Sequence, residues 1–452
     1  MQFELTKEFV ENLQQLIENR AVKEVAALMV DLHPADIAEI MDELDMEEAK
    51  FVYLLLEGEK ASDVLVEIPE EDRKRFLKEI PPEVIARQFI EHMDSDDAAD
   101  VLGELDDEVK KSVLNVIEDV EVAGDIVDLL EYDEETAGGI MAKELVTVNE
   151  NWTVATCLKE IARQAEDVDD IYYVYVVDDS RKLKGVLSLK KLILNNTNTV
   201  ISSIYDAEVK SVTTETPQEE VAQIMGKYDL VAIPVVDEIG RLKGRITFDD
   251  VMDVIREEAG KDYQMVSGIV GDVDSGDKVW QLTRARLPWL FVGLVGGIMG
   301  SKVLGANEEA FKVVPALAFF IPLIAATAGN VGVQSSSIVV QSIASGVRDF
   351  ESIGQKLLKE LSVGMITASV FATLLFTYNY FVSGDIPLTC AVSLSLFIII
   401  MLASFFGTLM PLLLSKLKID PALATGPFIT TMNDILGLSV YLLVGKMFFN
   451  IF

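Results

Sequence analysis

Pro427-Phe428-Ile429-Thr430-Thr431-Met432-Asn433-Asp434-Ile435-Leu436-Gly437 sets one carboxylate deep in the last long apolar stretch of a 452-residue chain. A membrane span needs roughly 20 mostly apolar residues, and 422–449 supplies them. An acid at that depth is costly unless it meets water, a partner or an ion. A protonated Asp434 bonded to a neighbouring helix would be one solution. No Lys or Arg lies at membrane depth to neutralise it, which favours a permeating cation as its partner.

Working outward, four further stretches are apolar enough to span: 287–304, 313–344, 357–382 and 388–414. The second contains Pro315 and Pro322, which predict a tilt or kink. It also carries Ala328-Gly329-Asn330-Val331-Gly332-Val333-Gln334-Ser335-Ser336-Ser337. Small residues let helices approach, and amides and hydroxyls could line a wet path; for the serine run, helix packing alone serves equally well. Pro421 and Pro427 would free carbonyls near the start of the last span, which is tolerated where they line water. Arg284 and Arg286, then Arg348, Lys356 and Lys359, then Lys416 and Lys418 share one side of a five-span arrangement. Only Lys302, Lys312 and Lys446 lie on the other. The positive-inside rule then puts the N-terminal half in the cytosol. The polar start Met1-Gln2-Phe3-Glu4-Leu5-Thr6-Lys7 has no leader pattern, in keeping with that side.

Charge divides the chain in two. Of its 38 Lys and Arg and 74 Asp and Glu, only ten and eight fall after residue 283. The first part is therefore strongly acidic, which argues against nucleic acid and against anionic lipid. It suits cations, although a solvated acidic surface explains most of these carboxylates. Cys157 and Cys390 imply no disulfide framework. With only His33 and His92, and no zinc spacing or phosphate-binding loop, no enzyme chemistry is expected.

One Asp per chain makes a weak site. A two-fold dimer would bring two Asp434 side chains to a shared axis, as an acidic ring that selects cations. Mg2+ sheds water reluctantly and is often held by one or two carboxylates, so it fits such a ring. The spans offer no Cys cluster or His for softer metals.

The middle of the chain repeats itself. Val176-Val177-Asp178 with Leu183-Lys184-Gly185 is echoed by Val235-Val236-Asp237 with Leu242-Lys243-Gly244. Each unit reads as a strand, a turn, a second strand and a helix. The segments Leu145-Val146-Thr147-Val148 and Val209-Lys210-Ser211-Val212-Thr213 open them. The pair resembles a tandem of CBS motifs, a regulatory α/β module. In that family Gly-x-x-Thr-x-x-Asp often marks an adenosine-nucleotide site, which the resemblance carries to Gly244, Thr247 and Asp250, with ATP as the implied ligand. Upstream, 32–44, 68–82 and 93–105 look like copies of a short helical unit, each begun by Pro or Asp and followed by apolar residues at helical spacing. They predict a small α-helical superhelix.

An acidic helical domain, two CBS motifs and five spans, in that order, resemble the MgtE family of Mg2+ transporters. The strings His33-Pro34-Ala35-Asp36, Ala137-Gly138-Gly139-Ile140-Met141, Ile171-Tyr172-Tyr173-Val174-Tyr175-Val176-Val177-Asp178, Ala328-Gly329-Asn330 and Asp420-Pro421-Ala422-Leu423 carry the resemblance. It implies a multidomain α+β protein of the bacterial inner membrane: helical domain 1–133, tandem CBS domain 134–258, connecting segment 259–284 and five-helix domain 285–452. It implies a homodimer with its pore on the two-fold axis, lined by spans two and five. Asp434 then resembles the ion-selecting acid and Asp420 the acid at the cytosolic mouth. The resemblance also implies regulatory Mg2+ held at Asp63, Asp96, Asp100, Gly139, Glu219, Gly226, Asp229, Asp250, Asp253, Glu258 and Asp262, with Lys261 and Pro217 standing where some members carry acids. Crowded carboxylates repel. Ions that bridge them would favour a closed form and shift the population away from the open one. The polar segment 259–283, with Gly268, Gly271 and Gly276, would transmit the change. Two rivals remain: a membrane-anchored nucleotide sensor, and a proton-coupled carrier of Mn2+ or Co2+.

Overall fold

Each of the short helical units begins where the sequence supplies a cap. Asp45 forms a capping box with Glu48, and Pro34 opens a helix behind the His33 side chain, which accepts from the Ala35 amide. Asp94, Pro69 and Pro81 stand at the caps of the next starts. The buried stripe of these helices (Leu13, Val25, Ile37, Val52, Leu65, Ile85, Val101 and Ile126) forms one core, continuous with Val212, Val221, Ile233 and Val251 of the second repeat. The first repeat keeps a separate core around Val146, Cys157, Val174 and Leu187. The computed structural model describes residues 3–56, 58–78, 80–165, 168, 170–271, 273, 277–344 and 352–449. The chain divides into two compact units, 1–255 and 256–452, within the helix Phe248–Val266.

The repeats fold as two matching three-stranded sheets. In the first, β1 (Val146–Asn149) pairs parallel with β2 (Val174–Val177), and β2 pairs antiparallel with β3 (Leu183–Leu187). In the second, β4 (Val212–Thr213), β5 (Ala232–Val236) and β6 (Leu242–Thr247) repeat that order. The turn between the antiparallel strands is built identically. The Asp178 carboxylate accepts from the Ser180 and Lys182 amides, and that of Asp237 from the Ile239 and Arg241 amides. Each unit also holds a helix that the strand–turn–strand–helix reading omits: Val154–Gln164 and Gln218–Tyr228. Parallel strands cannot be joined by a tight turn, so a crossover of this kind is required.

Among the described residues of the second unit, five helices are long and apolar enough to cross a membrane: Val279–Ala306, Pro315–Ile343, Ile353–Val382, Ile386–Lys416 and Gly426–Phe449, called spans one to five below. Span two is interrupted as its prolines predict. Pro315 opens a 3-10 turn that ends at Phe320, and the α-helix starts at Ile321 with Pro322 in its first turn. Span one begins at Val279, earlier than residue 287, because polar Gln281 and Arg284 continue the helix below the apolar stretch that hydropathy detects. The expected polar linker is likewise shorter. The helix Phe248–Val266 extends through most of its first third, and turns at Gly268 and Gly271, both with positive φ, follow. Gly276 and Arg348 lie outside the described residues. Spans two to five share a core centred on Ile324, Ala328, Ile399, Ile400 and Tyr441.

Candidate functional site

Span five starts abruptly. The Asp420 carboxylate caps a 3-10 turn, Pro421–Ala424, by accepting from the Ala422 amide at 2.7 Å. Gly426 then takes φ +51°, and a Cβ there would collide with the Val266 carbonyl. A Cβ at Gly268 would come within 2.6 Å of Pro427. The end of the Phe248–Val266 helix therefore lies directly on the first turn of span five. Burial raises the pKa of Asp262 on that helix, and the Asp420 and Glu258 charges add to the effect.

One and two turns further along, Thr430 and Asp434 line a cavity of about 430 Å³ together with Gly329, Asn330 and Gln334 of span two. The membrane carboxylate and the amide-bearing segment, distant in sequence, thus share one pocket, with Ala325, Ala326 and Val333 completing its wall.

In the first unit a second set of acids gathers at the start of the helix Ser95–Gly103. Oxygen atoms of Asp94, Asp96 and Glu144 all lie within 4.8 Å of one another, a spacing that suits an oxygen-ligated ion. Ser95 fixes Glu144 there: its amide and hydroxyl donate to the two carboxylate oxygens at 3.2 and 2.8 Å. Asp250, at the start of the Phe248–Val266 helix, faces this group. Burial first, then the Asp250 and Asp97 charges, hold Asp96 well above the usual carboxylate range. Burial lifts Asp97 to about 7, helped by Asp100 and Asp250. Burial also lifts Asp100 to about 7 against the pull of Arg73. Acids that hold protons near neutrality are acids without enough positive charge nearby, and a hard divalent cation is the natural complement.

The structure thus brings Asp96, Asp100 and Asp250 together, with Glu258, Asp262 and Asp420 forming a second group in the other unit. The remaining candidates sit elsewhere. Asp63 is on an exposed face of the helix Gly58–Glu67, and Asp253 is exposed on the helix after β6. Glu219, Gly226 and Asp229 mark the first turn, last turn and left-handed cap of Gln218–Tyr228. Gly139 is held against the Asp133 and Glu134 backbone, where a Cβ would clash. Lys261 spans Glu257 and Glu258 at 2.8 and 3.1 Å, an internal cation among the acids. Asp94, Asp97 and Glu144 are missing from the residues that the sequence reading assigned. The density of acids over 94–100 was a signal for the first two, whereas nothing local marks Glu144.

The Gly244, Thr247 and Asp250 triplet has a visible structural role. Gly244 lets Ala142 and Met141 approach β6, and Asp250 accepts from both the amide and the hydroxyl of Thr247 at 2.8 Å. Beside it, Arg245 is buried, donates to the Asp170 carbonyl at 2.7 Å and lies 5.9 Å from the Tyr172 ring centroid. Arg245 Nε and the Tyr175 hydroxyl are buried with no hydrogen-bond partner among the described residues.

Comparisons with known proteins match this architecture along nearly its whole length. The MgtE intracellular N domain matches residues 32–135, the CBS domain 137–195 and 201–257, and the MgtE divalent cation transporter family 321–444. Magnesium transporter MgtE of Thermus thermophilus is 35% identical over 443 residues, covering 96% of this chain and 97% of that protein. Its counterpart in Enterococcus faecalis is 36% identical, covering 97% of each. The crystal structure of the soluble part of a magnesium transporter is similar at TM-score 0.50 and 36% identity, over 56% of this chain and 99% of that one. The cytosolic domain of the Mg2+ channel MgtE in complex with ATP is similar at TM-score 0.51 and 37% identity, over 54% and 99%. With its three domain types in family order and such coverage by its relatives, the chain belongs to the MgtE family of divalent-cation transporters.

Proposed function

We propose that this chain conducts Mg2+ across the inner membrane into the cytosol, and that Mg2+ bound by its acidic cytosolic half closes the path. The observation that carries the reading is the cavity joining Asp434 with Asn330 and Gln334. A carboxylate and two amides lining one roomy pocket suit a hydrated divalent ion, because the acid contacts the shell of water without stripping it. Two copies of the chain would place two Asp434 carboxylates on one path.

The gate follows from electrostatics. Ions between Asp96, Asp100 and Asp250, and between Glu258, Asp262 and Asp420, would neutralise acids that otherwise repel. The second group reaches span five through the contacts at Gly268 and Gly426, so its state is mechanically tied to the path. Asp63, Gly139, Glu219, Gly226, Asp229 and Asp253 would complete ion sites in the closed dimer.

Reconstitution in liposomes under a fixed membrane potential tests the reading. Mg2+ uptake should be strong without internal Mg2+, fall as internal Mg2+ rises and vanish in Asp434→Ala. Full, selective uptake by that variant would refute the path. A nucleotide role has its own support. Arg245 Nε and the Tyr175 hydroxyl, without partners among the described residues, are donors suited to an adenosyl phosphate ligand, and the cytosolic domain of a relative is known in complex with ATP. ATP should then shift the internal Mg2+ that half-closes the path, and an unshifted curve would exclude it.

A further inference from the structure

Asp434 is one residue beyond Asn433, and the two side chains belong to adjacent rows of span five. The Thr430 and Asp434 row lines the cavity. The Ile429 and Asn433 row is buried against span two. Its seat is Gly332. A Cβ at that glycine would overlap the Asn433 amide and come within 2.6 Å of Ile429 Cγ2. Asn433 is only 3% exposed, and its Nδ2 donates to the Ala328 carbonyl at 3.3 Å. That carbonyl lies one turn before Gly332 on span two, so the amide reads both the height and the rotation of span five against its neighbour. Gly332 is itself backed by span four: a Cβ at Gly407 would come within 2.6 Å of its carbonyl. One turn earlier, Gly329 gives Thr430 similar access.

A buried apolar residue would pack here at several rotations. A buried amide has one arrangement that satisfies it, and polar core residues fix register in this way. Successive side chains on a helix point about 100° apart, so a small rotation of span five would swing Asp434 away from Asn330 and Gln334.

We propose that Asn433 is a positioning residue for ion selection: seated on Gly332 and hydrogen-bonded to Ala328, it fixes the rotation of span five that aims Asp434 into the path. The inference rests on the reading of the span two–span five cavity as that path. A hydrated ion is told from a larger one by how closely its shell fits the fixed oxygens, so loosening the aim should cost selectivity more than throughput.

The full chain in liposomes, assayed for Mg2+, Mn2+ and Ca2+ uptake and for thermal unfolding in detergent, tests this. Asn433→Leu keeps the branched outline and the number of heavy atoms, though its methyls are bulkier, and loses the donor. It should retain Mg2+ uptake within about threefold while the Mg2+ to Ca2+ uptake ratio falls about tenfold. A purely structural loss would lower all three ions alike. Gly332→Ala alone should destabilise the chain. Combined with Asn433→Ala, which removes the nearer of its two clashes and leaves the one with Ile429, it should recover part of the stability but not the ratio. A wild-type ratio in either Asn433→Leu or the double variant overturns the proposal. Asp434→Ala separates the outcomes. If it keeps wild-type uptake and ratio, the path reading fails. If it loses them while the Asn433 variants keep the ratio, only the positioning role fails.

Discussion

Over residues 94–100 four aspartates crowd the start of one helix, with Glu144 and Asp250 facing them, whereas on span five Asp434 stands as the one acid of its helix. The crowd pushes its own members toward protonation. Asp97 and Asp100 rise to about 7, although Arg73 lies beside both. The membrane acid has amides across a cavity in place of rival charges. The difference separates two uses of a cation. A crowd of acids is stabilised when ions stay, which suits a sensor. A single acid that shares a roomy pocket with two amides grips weakly enough for ions to leave, which suits a path.

Substitutions should break this contrast in a definite order. Removing the membrane acid should have the largest effect. Asp434→Ala should lower Mg2+ uptake by about 100-fold, the factor given by roughly 3 kcal/mol of lost stabilisation along the path. Isotope flux into liposomes measures it. Neutralising the crowd should leave transport intact and blunt its control. Asp96→Asn with Asp250→Asn should raise the internal Mg2+ needed for half-closure about tenfold, a typical coupling between a sensor and its output. Uptake titrated against internal Mg2+ checks this, and a loss of maximal uptake would assign those acids to the path.

The contrast extends to pH. Folding lifts Asp96, Asp97 and Asp100 above their unfolded values. Stability from such groups is full below the unfolded carboxylate range and is lost as pH rises through about 7. Metal-free protein should therefore unfold at a lower temperature at pH 8 than at pH 5.5, by about 2–4 °C for each kcal/mol. Millimolar Mg2+ should cancel or reverse that difference, and calorimetry with chelator and with Mg2+ reads it. The smallest effect is expected from Glu219→Gln or Asp229→Asn. These acids are exposed on one helix, and in a lone chain their loss should shift half-closure by less than about threefold. A larger shift would point to a facing surface supplied by another copy of the chain.

Local patterns made much of this legible. Apolar length located the five spans, paired prolines marked the interruption of span two, and an asparagine-bearing small-residue run and an acid within an apolar stretch marked two segments that line one cavity. Each of those signals is carried by consecutive residues. What escaped depends on contacts between distant segments. Glu144 joins the acids because Ser95 binds it from 49 residues away. Asn433 matters because Gly332 lies beneath it, and a glycine in an apolar run gives no sign of which side chain it admits. Span one was placed too late because hydropathy locates the membrane's apolar layer, while backbone hydrogen bonding carries the helix beyond it.

The most direct test is diffraction from the full chain grown with Mn2+, whose anomalous signal marks ions beside oxygen ligands. The expected peak lies in the cavity between Asp434 and the Asn330 and Gln334 amides, at water-mediated distance, and disappears in Asp434→Ala. A cavity without the peak in wild-type crystals that show Mn2+ at the Asp96 cluster, or a peak unchanged by removing Asp434, would contradict the proposal that the ion passes this acid.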